Sequence, residues 1–178
     1  MKYIALIRGI NVGGKKRIKM ADLVEALEPL GLKNIRTYLQ SGNVIFESDP
    51  IDSDEIAKDI KEKISQTFGI SVNIIIRTKN ELENIIKSNS FVKDPDIEID
   101  KLHVTFLKDL PDPEINLDLK RSENEKFEVI GREIYLYLPN GYGRTKLTNN
   151  IFEKKLKTTA TTRNWKTTNK LFEMSNLG

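Results

Sequence analysis

Residues 2–8 read KYIALIR, and this stretch decides the fold because it predicts a β-strand that is apolar on both faces. Ile4 and Leu6 fall on one side of such a strand, and Ala5 and Ile7 fall on the other. A strand with two apolar faces belongs in the centre of a sheet, where both faces are covered. The rest of the first half is therefore expected to build a sheet around it.

Apolar spacing and turn residues predict the elements that follow this strand. They are a helix at 19–28, strands at 35–40 and 44–47 joined by the turn Ser41-Gly42-Asn43, a helix from a capping box at Asp52 to Gly69, and a strand at 72–77. The resulting order is strand, helix, strand, strand, helix, strand. This is the ferredoxin-like β-α-β-β-α-β plan, and we predict it for a subdomain at 1–78.

The second half predicts another small α+β subdomain, at 79–178, packed against the first. Thr78 and Glu81 form a capping box for its first helix. Further elements are strands near 102–106, 127–130 and 133–138, a Pro-punctuated loop at 111–125, and helices at 149–156 and 162–174. No internal repeat is evident in residue identity, so the predicted fold class is α+β with two unlike halves.

Composition excludes several classes of protein. The 178 residues are 38% hydrophobic and 31% charged, which is typical of a soluble globular chain, and no apolar run is long enough to predict a membrane span. The absence of cysteine excludes disulfides, thiol catalysis and thiolate metal sites, and a single histidine, His103, excludes a two-imidazole site. We therefore expect a cytoplasmic protein with no membrane partner, no metal and no cofactor.

Charge is concentrated in two segments, although the net charge is only +3. Five basic residues and no acid lie within 8–19, eight basic residues and one acid lie within 142–170, and the intervening 94–128 is acidic. If the two basic segments meet in the folded chain, they form a surface that attracts anions. The alternative is that these side chains simply cover solvated faces.

The first basic segment contains RGINVGGKK at residues 8–16. From Gly9 it fits the first seven positions of a phosphate loop, but Lys16 occupies the position where Ser or Thr would bind magnesium. The antiparallel context is also wrong for such a loop. A glycine loop beside Arg8 and Lys15 still offers backbone N–H groups to an anion, whereas the alternative is a tight crossover that needs glycine only for its geometry.

The second basic segment contains a turn with Arg144 and Lys146 just before a predicted helix, and Arg163 at the predicted first turn of the next helix. Cations there are unfavourable for the helix dipole unless an anion lies between them and the helix. The combined candidate anion-binding set is Arg8, Gly9, Asn11, Gly13, Gly14, Lys15, Ser41, Asn43, Tyr142, Arg144, Lys146 and Arg163.

Two residues on predicted strands are candidates for other roles. Tyr3 is placed to stack a base on an RNA-recognition sheet, but residues 41–46 lack the Arg/Lys-Gly-aromatic pattern of such domains. This leaves the basic loops as the predicted contacts for nucleic acid. His103 lies on the strand face opposite Leu102 and Val104, and we interpret it as structural.

Five stretches carry a resemblance to a known family: ALIRGINVGG at 5–14, TYLQSGNV at 37–44, GREIYL at 131–136, YGRTKL at 142–147 and ATTRNW at 160–165. With them the chain is similar to a bacterial family, domain of unknown function (DUF) 1697. The resemblance implies an α+β fold of two small subdomains, the first ferredoxin-like. It implies no activity, cofactor or catalytic residue.

Three functions remain open from the residues. The first is a site for a small ligand bearing phosphate or carboxylate, with or without catalysis. The second is an RNA- or DNA-binding module that uses the same basic loops. The third is a structural or interaction module that has no ligand site.

Overall fold

The computed structural model describes residues 1–11 and 17–177, and over these residues it has a mixed α+β fold with two four-stranded antiparallel sheets and five α-helices. The chain divides into two compact units, Met1–Leu82 together with Leu171–Gly178, and Glu83–Lys170. No helix in the described ranges combines the length and apolar character that crossing a bilayer requires.

The first sheet is built around the strand at the amino end. Its unit contains β1 Lys2–Arg8, α1 Met20–Leu27, β2 Lys33–Tyr38, β3 Asn43–Glu47, α2 Ser53–Phe68 and β4 Asn73–Thr78, followed by the start of α3 Lys79–Ser88. The strand order is β2-β3-β1-β4 with every pair antiparallel, so β1 is an interior strand as predicted. The elements through β4 follow one another in the predicted order.

Both faces of β1 are buried. Tyr3, Ala5 and Ile7 belong to the core that includes apolar residues of α1 and α2, while Ile4 and Leu6 on the other face are at most 1% exposed. Tyr3 stacks on Phe46 with ring centroids 5.6 Å apart, and its hydroxyl donates to the carbonyl of Ile51 at 3.2 Å. The ring of Tyr3 is therefore part of the core and is not available to stack a base.

Local signals place the helix ends correctly in this unit. The side chain of Asp52 accepts hydrogen bonds from the backbone N–H groups of Asp54 and Glu55 and caps α2. Gly69 ends α2 in a left-handed conformation, and Gly31 does the same after the 3₁₀ turn that follows α1. These ends depend on contacts within a few residues, which is why sequence predicts them.

The second sheet contains β5 Leu102–Leu107, β6 Lys126–Ile130, β7 Glu133–Tyr137 and β8 Ala160–Asn164, in the order β6-β7-β5-β8 and all antiparallel. The remaining helices are α4 Asn149–Leu156 and α5 Trp165–Asn176. The predicted capping box of α3 is present, since Thr78 N donates to Glu81 Oε2 at 2.7 Å and Glu81 N donates to Thr78 Oγ1 at 3.2 Å.

The structure corrects the prediction of a helix at 162–174. Residues 160–164 form β8 and pair with β5, because the β-branched Thr161 and Thr162 fit a strand. The helix begins only at Trp165, and its cap is the Oδ1 atom of Asn164, which accepts from Thr167 N at 2.7 Å. Arg163 consequently lies in a strand and not in the first turn of a helix.

Gly42 is required by packing as well as by its φ of +78°. A Cβ atom added at Gly42 would lie 2.9 Å from the Cβ of Ile7 and from two side-chain carbons of Ile10, whereas nothing lies within 4 Å of a Cβ at Gly9, whose φ is +75°. We expect Gly42→Ala to lower the free energy of unfolding by about 3 kcal/mol, from strain plus overpacking, and Gly9→Ala by about 1 kcal/mol, from strain alone. Urea denaturation measures the free energy of unfolding of both variants. An equal decrease in the two would contradict the packing argument for Gly42.

Candidate functional site

The side chain of Asn11 ties together the segment that leaves β1. Its Nδ2 donates to the carbonyls of Ile18 and Gln40, each at 2.8 Å, and its Oδ1 accepts from Ile18 N at 2.7 Å. Asn11 has a φ of +56°, in the left-handed region that asparagine tolerates better than most residues. One amide therefore links the segment that leaves β1, the segment that leads into α1 and the β2–β3 hairpin.

The β2–β3 hairpin lies directly against the end of β1. Ile7 N donates to the carbonyl of Gly42 at 2.8 Å, and Asn43, which is fully buried, donates to the carbonyl of Tyr38 at 2.8 Å and to Ser41 Oγ at 3.0 Å. Leu39 has a φ of +59° although it is neither glycine nor asparagine. A strained backbone position of this kind is common at functional sites.

A cleft of about 550 Å³ opens beside these two loops. We name it the basic cleft, and its described lining residues are Asn11, Arg17, Ile18, Lys19, Asp22 and Gln40. Arg17 and Lys19 are exposed, so their charges face solvent and an incoming ligand. Two cations and one carboxylate give the lining a net positive charge.

The structure brings part of the predicted set together. Asn11 lines the basic cleft, and the Ser41–Asn43 turn lies in the hairpin whose Gln40 lines it. Gly9 precedes Asn11 in the same connection, and Arg8 is half-buried at the end of β1. Gly13, Gly14 and Lys15 lie outside the described residues. Sequence patterns do not single out four of the lining residues, although two of them belong to the basic segment at 8–19; the four are Arg17, Lys19, Asp22 and Gln40.

The start of the second basic segment forms an exposed turn in the other unit. Tyr142–Arg144 is a single 3₁₀ turn, and the side chains of Arg144 and Lys146 are exposed. Tyr142 stacks on His103 with centroids 5.5 Å apart. Arg144 and Arg8 belong to different units, so the meeting of the two basic segments stays a prediction.

Arg163 lies in the interior of the second unit. It is 9% exposed, and its Nη1 donates to Thr161 Oγ1 at 2.8 Å and to the carbonyl of Thr162 at 2.9 Å. Burial lowers the pKa of Arg163 to about 10, and Tyr142 opposes this shift. The guanidinium is therefore still charged at neutral pH, and its fork is fixed by the strand that carries it.

The fold and the basic cleft define a mixed α+β protein with an open, ligand-sized, positively charged depression in its first unit. The chain belongs to the family described as protein of unknown function (DUF1697), whose family model matches residues 1–135. The resemblance found in the sequence is confirmed.

The fold is similar to that of the conserved bacterial protein SP0830 from Streptococcus pneumoniae, with a TM-score of 0.68 and 20% identity over 98% of each chain. Among curated proteins, none matches this sequence.

The amide of Asn11 is expected to stabilise the unit that contains it. Asn11→Gly keeps a residue that tolerates the left-handed backbone but removes three hydrogen bonds, and we expect it to lower the free energy of unfolding by about 2 kcal/mol. The control is Asn34→Gly at an exposed position with a φ of 53°, which should change stability by less than about 0.5 kcal/mol. Urea denaturation measures the free energy of unfolding of both variants. An equal decrease in Asn11→Gly and Asn34→Gly would contradict the stabilising role of the Asn11 amide.

His103 is expected to make stability depend on pH. Burial lowers the pKa of His103, against a smaller opposing effect of its Nδ1–H donating to the carbonyl of Lys101 at 3.2 Å. The unfolded chain therefore takes up a proton as the pH falls through about 6.5, whereas the folded chain stays neutral until a lower pH. Stability should be fully present above 6.5 and should fall in the window below it.

His103→Phe is the variant that checks this dependence, because it can keep the stacking on Tyr142 and has no titrating group. The unfolding free energies of the two proteins are to be measured by urea denaturation between pH 5 and pH 8. The difference between them should grow in favour of the variant as the pH falls. A difference that is constant with pH would show that His103 titrates alike in both states.

Proposed function

We propose that the protein binds a small anionic ligand, bearing a phosphate or carboxylate group, in the basic cleft. The observation that carries the proposal is the position of Arg17 and Lys19 in a cleft of about 550 Å³ whose walls are joined by the Asn11 amide. Clefts of about 300 to 1,000 Å³ are of the size that small molecules occupy. Preformed walls also favour binding, because little ordering is left to occur when the ligand arrives.

The charges of the lining suggest how such a ligand is oriented. Arg17 offers a planar fork of N–H donors that matches phosphate and carboxylate oxygens, and Lys19 offers a compact positive charge. Asp22 supplies the one carboxylate among the described lining residues, and it favours a ligand with hydroxyl or amino groups next to its anionic group. A sugar phosphate or a hydroxy acid satisfies both requirements.

Nucleic acid is the weaker interpretation of the same charges. Base-stacking recognition on a sheet needs exposed aromatic rings, and Tyr3 and Phe46 are both at most 1% exposed. Ile4, Leu6 and Ile45 on the other face of the first sheet are buried as well. Only phosphate contacts by the exposed loops then remain, and these bind with little sequence preference.

For the architecture, we infer that the first unit is a ferredoxin-like domain. The support is the order β2-β3-β1-β4 with antiparallel pairing and the packing of α1 and α2 into one core with the residues on a single face of β1. This plan places the connection after β1 and the β2–β3 hairpin side by side at one end of the sheet. The basic cleft lies at that end.

Calorimetric titration with adenosine monophosphate and with citrate tests the proposed function, with adenosine as the uncharged control ligand. We expect Arg17→Ala or Lys19→Ala to weaken binding of the anions about ten-fold, because each removes a charge-assisted contact. Lys61→Ala is the matched control, since Lys61 is an exposed cation on α2 outside the cleft lining. It should leave the affinity unchanged.

Three outcomes would contradict the proposal. They are the absence of measurable heat with either anion, equal binding of adenosine, and an equal loss of affinity in Lys61→Ala. If a mixed-sequence RNA binds instead, with an affinity that falls steeply as salt increases, the nucleic-acid interpretation replaces the proposed one. Absence of binding to any of these probes supports a structural module.

A further inference from the structure

The second sheet repeats the architecture of the first. The orders β2-β3-β1-β4 and β6-β7-β5-β8 become identical when β1 to β4 are matched with β5 to β8, and all pairs are antiparallel in both. The match extends to single hydrogen bonds. Ile7 N donates to the Gly42 carbonyl, and Leu107 N donates to the Arg132 carbonyl, each at 2.8 Å. The central strand therefore contacts the neighbouring hairpin in the same way in both sheets.

The edge strands β4 and β8 support the same correspondence. Arg77 is paired with Ile4 of the central strand, and Arg163 is paired with Val104. Each arginine is buried, and each donates from Nη1 to the carbonyl of the residue before it, at 2.9 Å. A capped helix follows each strand directly. The repeat is not visible in the sequence, because few matching positions of the two sheets carry the same residue.

The connection after the central strand is where the two units differ. In the first unit it contains α1, whose Leu23 and Leu27 are buried in the core. In the second unit residues 108–125 contain no helix, and Ile115, Leu117 and Leu119 pack against the core from an irregular segment. Irregular segments of this length are uncommon in compact domains and frequently serve binding.

A cleft of about 470 Å³ lies beside this irregular segment, and we name it the apolar cleft. Like the basic cleft, it is bordered by the connection after the central strand and by the following hairpin, but its lining also includes residues of β6 and α4. Its lining is largely apolar and includes Leu110, Ile115, Leu117, Phe127, Val129 and Leu156. Leu110 lines the cleft and is 70% exposed, so its side chain is accessible to a ligand.

The charge of the lining limits what this cleft accepts. Asp112 is the single ionisable side chain among its described lining residues, and no cation lines it. The Oδ1 atom of Asp112 accepts from Glu114 N at 2.9 Å, which fixes the carboxylate in a local turn. An anionic ligand would meet repulsion and find no cation, whereas an uncharged aliphatic chain loses only its contact with water.

We propose that the apolar cleft is a second ligand site and that it takes the aliphatic chain of an uncharged small molecule. The site follows from the difference between the two units, because the irregular segment that stands in place of a helix leaves Phe127 and Val129 of β6 to line a cleft. The described lining of the apolar cleft is largely apolar, whereas that of the basic cleft contains two cations. The first therefore favours an uncharged ligand and the second an anion. This proposal does not depend on anion binding in the first unit.

Titration of the full chain with octan-1-ol, followed by amide NMR, tests the second site. We expect saturable shifts at the assigned amides of 110–117 and 127–131, and weaker binding of octanoate, which has the same chain length and a negative charge. Leu110→Asp should weaken the affinity for octan-1-ol about five-fold or more, because it removes apolar contact and places a hydrated carboxylate in the cleft lining. Leu110 is exposed, so this substitution should leave the fold intact.

The matched control is Ile99→Asp, an exposed apolar residue of the same unit that does not line the cleft, and it should bind octan-1-ol like the parent protein. Shifts without saturation, shifts confined to other regions, or unchanged affinity in Leu110→Asp would each overturn the site. Octanoate binding as tightly as octan-1-ol would overturn the proposed ligand class. Leu110→Asp should leave binding of adenosine monophosphate unchanged, so failure here is distinct from failure of the proposed function.

Discussion

The first unit depends on one constraint, which is that β1 must bury both faces and satisfy both hydrogen-bonding edges. Its apolar side chains are at most 1% exposed on either side, and its backbone pairs with β3 on one edge and β4 on the other. An interior strand with two apolar faces loses much of its stabilisation if either cover is removed. The strand order satisfies both edges of β1, and the packing of α1 and α2 covers the face that carries Tyr3, Ala5 and Ile7.

The candidate site is a consequence of how the chain leaves that strand. Gly9 and Asn11 both have positive φ, so the backbone turns sharply as soon as β1 ends. The Asn11 amide then holds the turn to Ile18 and Gln40, and Gly42 allows Ile7 and Ile10 to pack directly on the hairpin. Positive φ angles and side-chain hydrogen bonds are thus concentrated beside the cleft that Arg17 and Lys19 line. Strained backbone of this kind is common at binding sites.

Two clefts of opposite character occur on one repeated architecture. In the first unit the connection after the central strand is helical and basic, and in the second it is irregular, proline-containing and apolar. The strand order, the register of the central strand with its two neighbours and its hydrogen bond to the hairpin stay the same in both. A scaffold whose sheet is fixed by backbone pairing can change a connecting segment at little cost to its core, so ligand chemistry can diverge while the fold persists.

The sequence alone determined the features that depend on neighbours along the chain. The caps at Asp52 and Thr78, the helix end at Gly69 and the hairpin at Ser41–Asn43 rest on contacts a few residues apart, and the two apolar faces of β1 are visible in its alternation. Local signals failed at Thr161 and Thr162, where good capping residues lie in a strand because pairing with β5 outweighs local preference. Only the tertiary structure decided which residues line the basic cleft, since the bond between Asn11 and Gln40 joins positions 29 residues apart. The repeat of the two sheets was hidden for the same physical reason: backbone pairing defines it, and backbone pairing leaves little trace in residue identity.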